Sequence, residues 1–168
     1  MIPVTAPNLR EAPSTVAVTW DQLHRDARSL AVAAIPLGPF RGIVAVSRGG
    51  LIPAAIVARE LECRMVECVS VVAYAAESGT GGTPHIIKPP TAAGDGTGFL
   101  IVDDLVDRGE TARAVRAALP RAVFGCLYAK PQGRAVTDLH VAEVAQETWI
   151  LFPWDTAPLF VPPLARRT

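Results

Sequence analysis

Short apolar runs alternate along the chain with stretches in which apolar residues recur every three or four positions. The runs are typical of strands buried on both faces of a sheet, and the recurring pattern is typical of amphipathic helices. The predicted strands are 43–46, 65–74, 99–102 and 123–129. The predicted helices begin after the capping residue Thr19, near Pro53 and at Thr111, and they end before Pro36, at Leu61 and at Leu119. This alternation predicts an α/β fold with a mostly parallel, twisted sheet that binds ligands at the carboxyl ends of its strands.

Two segments depart from this alternation. Residues 75–98 are rich in glycine and proline and have almost no periodicity, which is typical of a lid or a disordered loop. The tail, about residues 140–168, combines two tryptophans with several prolines and is expected to be an extended, packed arm. Residues 1–14 lack an apolar core, so we expect a flexible lead-in rather than a signal peptide. Residues 15–168 are expected to form a single domain.

The composition limits the class of protein. Sixteen basic residues balance sixteen acidic ones, whereas a protein that coats nucleic acid needs a basic excess. Half of the residues are hydrophobic, which excludes a disordered chain. Lys88 and Lys130 are the only lysines in the sequence. Cys63, Cys68 and Cys126 lack zinc-type spacing, so we expect reduced thiols in a cytoplasmic protein.

The strongest chemical signal follows the predicted strand 99–102. Asp103 and Asp104 come directly after it, and Asp107 precedes a turn at Gly109 that opens a helix. A strand–loop–helix of this kind offers backbone N–H groups and a helix dipole to a phosphate. The acidic pair, Asp103 and Asp104, suits vicinal sugar hydroxyls or a magnesium ion. The alternative is an ordinary loop with solvated acids, in which Asp107 caps the helix.

The stretch 99–111 resembles the phosphoribosyl-pyrophosphate motif of type I phosphoribosyltransferases. Further segments occur in the same order in the bacterial purine enzymes of that family, namely 19–21, 43–51, 129–131, 146–150 and 153–155. The resemblance extends over residues 15–164 and implies the type I phosphoribosyltransferase fold, with a flexible lid and a C-terminal hood arm. It also implies a magnesium-dependent purine salvage reaction. Phosphoribose would pass from phosphoribosyl pyrophosphate to guanine or xanthine, with hypoxanthine as a further substrate, giving a nucleoside 5′-monophosphate and pyrophosphate.

The resemblance also implies which residues contact the sugar and its 5′-phosphate. Asp103 and Asp104 would hold the ribose hydroxyls, and Asp104 is the expected magnesium ligand. The loop 107–111 would surround the 5′-phosphate; its residues are Asp107, Arg108, Gly109, Glu110 and Thr111. Arg108 and Glu110 replace a threonine and a glycine of the related enzymes. We expect the Glu110 side chain to point to solvent, because a phosphate would repel it.

The same resemblance implies the contacts of the purine base. Asp107 is the expected catalytic residue, which would accept or orient a proton at the imidazole edge of the base. Lys130 would donate to the 6-oxo oxygen, Trp149 would stack on the ring, and Ile150 would present its backbone to the 2-position edge. The alternatives are a surface lysine and a tryptophan that packs in the core. Leu151 replaces an acidic residue of the relatives, which leaves the preference among guanine, xanthine and hypoxanthine open.

Basic residues near the lid and after the first buried strand are the candidates for pyrophosphate binding. Arg48 and Gly49 match the family's pyrophosphate-binding dipeptide, since arginine pairs with phosphate and glycine allows close approach. The alternative for Arg48 is a surface residue on a tight turn. In the lid, about residues 75–98, Lys88 and His85 are the basic candidates.

Two other functions remain open at this point. One is a regulatory protein that keeps the fold as a nucleotide sensor, and the other is a phosphoribosyltransferase for a different base. The first usually adds a basic face or a DNA-binding domain, and neither is evident in the sequence. The resemblance implies a homo-oligomer, a tetramer or a dimer, with small-molecule substrates and no nucleic acid. It implies a cytoplasmic location and leaves a peripheral contact with the inner membrane open, although no amphipathic basic helix is evident.

Overall fold

The computed structural model describes residues 14–73 and 82–155 of the chain. The described residues divide into a larger unit, residues 20–146, and a smaller unit formed by residues 14–19 and 147–155. In chain order the elements are β1 (Thr15–Ala17), α1 (Trp20–Ala34), β2 (Gly42–Ser47), α2 (Leu51–Glu60), β3 (Val66–Ala73), β4 (Pro84–Lys88), β5 (Phe99–Val106), α3 (Glu110–Ala118), β6 (Val123–Ala129), β7 (Leu139–Glu143) and β8 (Trp149–Leu151). Short 3-10 helices lie at Ile35–Leu37, Thr91–Ala93 and Arg134–Val136.

The described part of the larger unit is built on a six-stranded sheet in the order β4-β3-β2-β5-β6-β7. Neighbouring strands are parallel except for the antiparallel pair β3–β4. β2 and β5 lie at the centre, where Ala45 is in register with both Cys68 and Val102. The prediction of a mostly parallel α/β sheet is confirmed. The carboxyl ends of β2, β3 and β5 therefore meet at one edge of the sheet.

Helices flank this sheet on both faces. Phe124 and Gly125 are neighbours on β6, so they face opposite sides of the sheet. The Gly125 side meets Leu30 of α1, and Phe124 belongs to the same apolar cluster as Val115 of α3. The predicted helices are confirmed with small shifts at their ends, and Pro53 falls in the first turn of α2, where its missing N–H costs nothing.

Three parts of the larger unit differ from the sequence prediction. β5 continues past 102 to Val106, because β6 goes on pairing with it as far as Ala129, so the acidic pair lies inside the strand. β7 is a strand that the sequence pattern did not indicate. Residues 84–98, predicted to be structureless, contain β4 and a 3-10 helix, and Ala93 is buried in the core.

The sequence missed β4 because it is short and its apolar pattern is weak. Pro84 is its first residue, a position at which proline is tolerated in an edge strand. β3 supplies the partner, with Val72 in register with His85. Residues 75–81 of the expected lid lie outside the described residues, so the lid stays a prediction.

The smaller unit pairs two short strands in parallel. Thr15 of β1 is in register with Trp149 of β8, and the Ser14 and Thr148 hydroxyls lie 2.8 Å apart. Phe152 and Trp154 stack with their ring centroids 4.8 Å apart, which agrees with a structural role for Trp154. The remainder of the expected hood arm, residues 156–168, lies outside the described residues. Across residues 14–73 and 82–155, we find no helix long and apolar enough to cross a membrane.

Candidate active site

A cavity of about 350 Å³ lies at the carboxyl ends of β2, β3 and β5. Val46, Ser47 and Gly49 line it from β2 and the loop after it, and Val71 lines it from β3. The rest of the lining is the continuous segment 103–112, which holds the acidic pair and the loop 107–111. The predicted sugar and 5′-phosphate residues are therefore brought together in one cavity.

The acidic pair is held tightly by its own backbone. The Asp104 backbone N donates to Asp103 Oδ1 at 3.0 Å, and the Leu105 backbone N donates to Asp104 Oδ1 at 2.8 Å. Asp103 is buried, and this burial, together with the negative charge of Asp104, raises the pKa of the Asp103 carboxyl well above its usual range. A cation or a hydroxyl donor near the pair would relieve this repulsion.

Gly49 is needed because the Asp104 carboxylate lies against its backbone. A Cβ atom built on Gly49 would overlap the Asp104 carboxylate group. The loop after β2 therefore touches the acid of β5 directly, and only glycine leaves room for that contact. This is a close approach of the kind that the sequence analysis expected at Gly49, although the neighbour is a carboxylate of the same protein.

The loop 107–111 turns through a left-handed glycine into helix α3. Gly109 has a φ of 80°, a conformation that favours glycine, and its carbonyl accepts from the Arg113 backbone N at 2.9 Å. The Glu110 side chain is exposed, as expected. Arg113, which no sequence motif indicated, donates from Nη2 to the Arg108 carbonyl at 2.9 Å. The backbone N–H groups at the start of α3 lie along the cavity and can donate to a bound anion.

A second turn, residues 131–136, packs against the loop 107–111. A Cβ atom on Gly133 would lie 2.6 Å from the Asp107 carbonyl oxygen, 2.7 Å from Val106 Cγ1 and 3.0 Å from the Gly109 backbone N. The two backbone segments therefore pack so closely that a side chain does not fit between them. Gly133 shows no sequence signal of this role, because the residues it packs against lie more than twenty positions away.

Lys130 and Asp107 form an ion pair at the start of the loop 107–111. Lys130 Nζ lies 3.3 Å from Asp107 Oδ2, and Lys130 is only 6% exposed. The Lys130 backbone N donates to the Val106 carbonyl at 2.9 Å, which ties the end of β6 to the end of β5. The alternative of a surface lysine is therefore wrong. Gln146 Nε2 donates to the other oxygen of the Asp107 carboxylate, Oδ1, at 2.6 Å.

Comparison with known proteins agrees with this arrangement. Residues 19–160 match the phosphoribosyl transferase domain family, which is most of the chain. The chain belongs to the phosphoribosyltransferase family. It is 67% identical over 160 residues to a xanthine-guanine phosphoribosyltransferase of Gluconobacter oxydans, and the match covers 93% of this chain and 95% of that protein.

More distant members of the phosphoribosyltransferase family give the same picture. A xanthine-guanine phosphoribosyltransferase of Nitratidesulfovibrio vulgaris is 49% identical over 150 residues, covering 89% of this chain and 90% of that protein. The crystal structure of a purine phosphoribosyltransferase from Pyrococcus horikoshii superposes with a TM-score of 0.74 at 31% identity, covering 88% of this chain and 99% of that one. The type I phosphoribosyltransferase fold expected from the sequence is confirmed.

Other residues that the family resemblance selected lie outside the cavity lining. Arg48 is exposed on the loop after β2. Lys88 donates from Nζ to the Cys68 carbonyl at 2.7 Å, and Nζ lies 3.9 Å from Glu67 Oε1. The Lys88 ammonium group therefore contacts two residues of β3. Trp149 and Ile150 belong to the smaller unit. Trp149 is 57% exposed there, which contradicts the alternative that it packs in a core.

Proposed function

We propose that this phosphoribosyltransferase is a purine salvage enzyme that converts guanine and xanthine into their 5′-monophosphates. The observation that carries the proposal is the contact between Lys130 and Asp107, 3.3 Å apart beside the loop 107–111. The 6-oxo oxygen and N7 of a purine lie on one edge of the base. When N7 of the free base carries its proton, the oxygen accepts and N7 donates, so a neighbouring donor and acceptor match them. The names of the G. oxydans and N. vulgaris relatives support the same substrates.

The sugar phosphate is bound by the cavity segment 103–112. Backbone N–H groups at the start of α3 donate to the 5′-phosphate, and the helix dipole favours its charge. Thr111 is half-buried in this lining and adds a hydroxyl donor. The acidic pair accepts hydrogen bonds from the ribose hydroxyls. Because these contacts are mostly to the backbone, the exchange of threonine and glycine for Arg108 and Glu110 leaves them available.

The acidic pair also fits a magnesium ion, with Asp104 as its ligand. Magnesium is usually held by one or two carboxylates together with waters and substrate phosphates. Over residues 14–73 and 82–155, no group of three or more histidines, cysteines, aspartates and glutamates is placed to hold a metal ion. When bound, magnesium neutralises charge on the pyrophosphate leaving group. Arg48 and the Gly49 backbone bind that group from the loop after β2, and Lys88 adds a second cation if it leaves Cys68.

The chemical step joins a ring nitrogen of the base to C1 of the ribose while the bond from C1 to the pyrophosphate oxygen breaks. Asp107 accepts or orients the proton at the imidazole edge, and Lys130 donates to the 6-oxo oxygen. A carboxylate is a modest base, so the orientation of the reactants contributes more than proton transfer. An adenine base would present an amino donor to Lys130, and both groups would be left unpaired. The roles of Trp149, as a ring that stacks on the base, and of the Ile150 backbone, at its 2-position edge, stay predictions from the sequence.

A steady-state assay with guanine, xanthine and hypoxanthine tests this proposal. Each base is supplied with phosphoribosyl pyrophosphate and magnesium, and the monophosphate product is measured. We expect product from guanine and xanthine, and no turnover when a chelator removes magnesium. No product from any of the three bases at millimolar concentration would contradict the proposal. A homo-oligomeric state, a cytoplasmic location and a contact with the inner membrane stay predictions from the sequence.

A further inference from the structure

The side chain of Gln146 bridges two parts of the active site. Its Oε1 accepts from the backbone N of Gln132 at 3.1 Å, and its Nε2 donates to Asp107 Oδ1 at 2.6 Å. The Gln132 backbone N–H can only donate, so the amide oxygen has to face it. The amide nitrogen then has to face Asp107. The orientation of the amide group is thus fixed by its two partners.

This contact determines how the Asp107 carboxylate is held. Lys130 Nζ faces Oδ2 at 3.3 Å while Gln146 donates to Oδ1, so each oxygen has its own donor. The Asp107 side chain is 51% exposed, and packing alone leaves such a side chain free to rotate. Two donors on opposite oxygens remove that rotation and fix the plane of the carboxylate.

The two donors differ in what the proposed reaction requires of them. Lys130 has to pair with Asp107 and also donate to the 6-oxo oxygen of the base. Gln146 has no such second task, because its oxygen is already engaged by Gln132. When the base draws Lys130 toward it, Gln146 is the donor that still holds Asp107.

We propose that Gln146 is a positioning residue that orients the Asp107 carboxylate toward the imidazole edge of the base. This inference rests on the proposed function of Asp107. Gln146 acts through Asp107, and it is not among the residues that line the cavity proposed for the sugar and its phosphates. Its loss therefore lowers kcat and leaves the KM for phosphoribosyl pyrophosphate nearly unchanged.

The substitution Gln146→Glu tests the inference, because it keeps the length of the side chain and exchanges the donor for a carboxyl group. At neutral pH the new carboxylate faces Asp107 and repels it, so we expect kcat to fall by about tenfold or more. Asp107, which Gln146 contacts, and Lys130, which pairs with Asp107, are charged groups close to the new carboxylate. The Asp107 charge raises the pKa of the new carboxyl, and the protonated form can donate to Asp107 again. The ratio of the variant's kcat to that of the wild type should therefore rise as the pH falls from 8 to 5.

Two further variants separate positioning from a merely structural effect. Gln146→Met has a similar length and no donor at any pH, so its kcat should fall without the recovery at low pH. Gln132→Glu makes the same charge change on an exposed side chain that leaves the backbone N–H in place, and its kcat should stay within twofold of the wild type. The KM for phosphoribosyl pyrophosphate should stay within twofold in all three variants.

The outcomes distinguish this inference from the proposed function. An active wild type together with a Gln146→Glu variant of equal kcat would overturn the role of Gln146 alone. A loss that is the same at every pH, or that comes with a raised KM for phosphoribosyl pyrophosphate, would also overturn it. A wild type that is inactive with all three 6-oxopurines would overturn the proposed function itself, and the inference with it.

Discussion

The replacement of Gly133 by alanine tests whether the turn 131–136 holds the loop 107–111 in its binding conformation. The Gly133 backbone has φ −103° and ψ −21°, which alanine adopts readily, so any effect comes from the added methyl group alone. That methyl would lie 2.6 Å from the Asp107 carbonyl oxygen, about 0.8 Å short of an ordinary contact of 3.4 Å. The nearest atoms include backbone, so the loop itself has to move.

The expected change in KM or in stability follows from this overlap of about 0.8 Å between the methyl group and the Asp107 carbonyl oxygen. Inserting a methyl group into closely packed structure costs about 1–3 kcal/mol. If the loop moves, its N–H groups lose their alignment with the 5′-phosphate, and the KM for phosphoribosyl pyrophosphate should rise by about tenfold or more. If the loop stays in place, the strain lowers the free energy of unfolding instead, and Tm should fall by about 2–4 °C for each kcal/mol.

Steady-state kinetics at saturating guanine and a thermal melt of the same protein measure both effects. Gly38→Ala is the matched control, because a methyl group there would come no closer than 3.4 Å to its neighbours. It should leave both the KM and Tm close to the wild type. A Gly133→Ala variant whose KM and Tm both match the wild type would refute the close packing of the two segments.

Three other substitutions test separate parts of the account. Asp107→Asn should lower kcat by about a hundredfold and leave the binding of phosphoribosyl pyrophosphate nearly intact; a calorimetric titration showing lost binding would contradict this. Lys130→Met should reduce kcat/KM for guanine by about a hundredfold, and unchanged kinetics would remove Lys130 from base recognition. Tyr128 donates to the buried Asp26 carboxylate, and burial, then this bond, raises the pKa of the Tyr128 hydroxyl. The wild type should therefore lose unfolding free energy as the pH rises above about 10, and denaturant titrations of Tyr128→Phe should lack that loss.

The parts of the fold that the sequence predicted well have strong local patterns. β2 and the first half of β5 are uninterrupted apolar runs, and both became central strands. The loop 107–111 was predicted because acids, a glycine and a helix start follow one another within a few residues. In each case the information lies in neighbouring positions, so the sequence alone carries it.

The parts that were missed depend on contacts between distant positions. β4 is too short to show a clear alternation, and it becomes a strand because β3 offers it an edge. Gly133 is unremarkable in the sequence, and Gln146 belongs to the family segment 146–150 but received no role there. Both matter because the fold brings them to Asp107. The direction of Lys88 toward the Cys68 carbonyl could not be predicted either, since it depends on the register of β4 against β3.

The most direct test of the central claim compares guanine with adenine as substrates of the wild-type protein. Phosphoribosyl pyrophosphate and magnesium are supplied with either base, and the nucleotide and pyrophosphate formed are both quantified. The proposed transfer reaction predicts one pyrophosphate for each guanosine monophosphate. The buried Lys130 beside Asp107 predicts a kcat/KM for guanine at least about a thousandfold above that for adenine. Equal use of the two bases, or no nucleotide from guanine, would contradict the account.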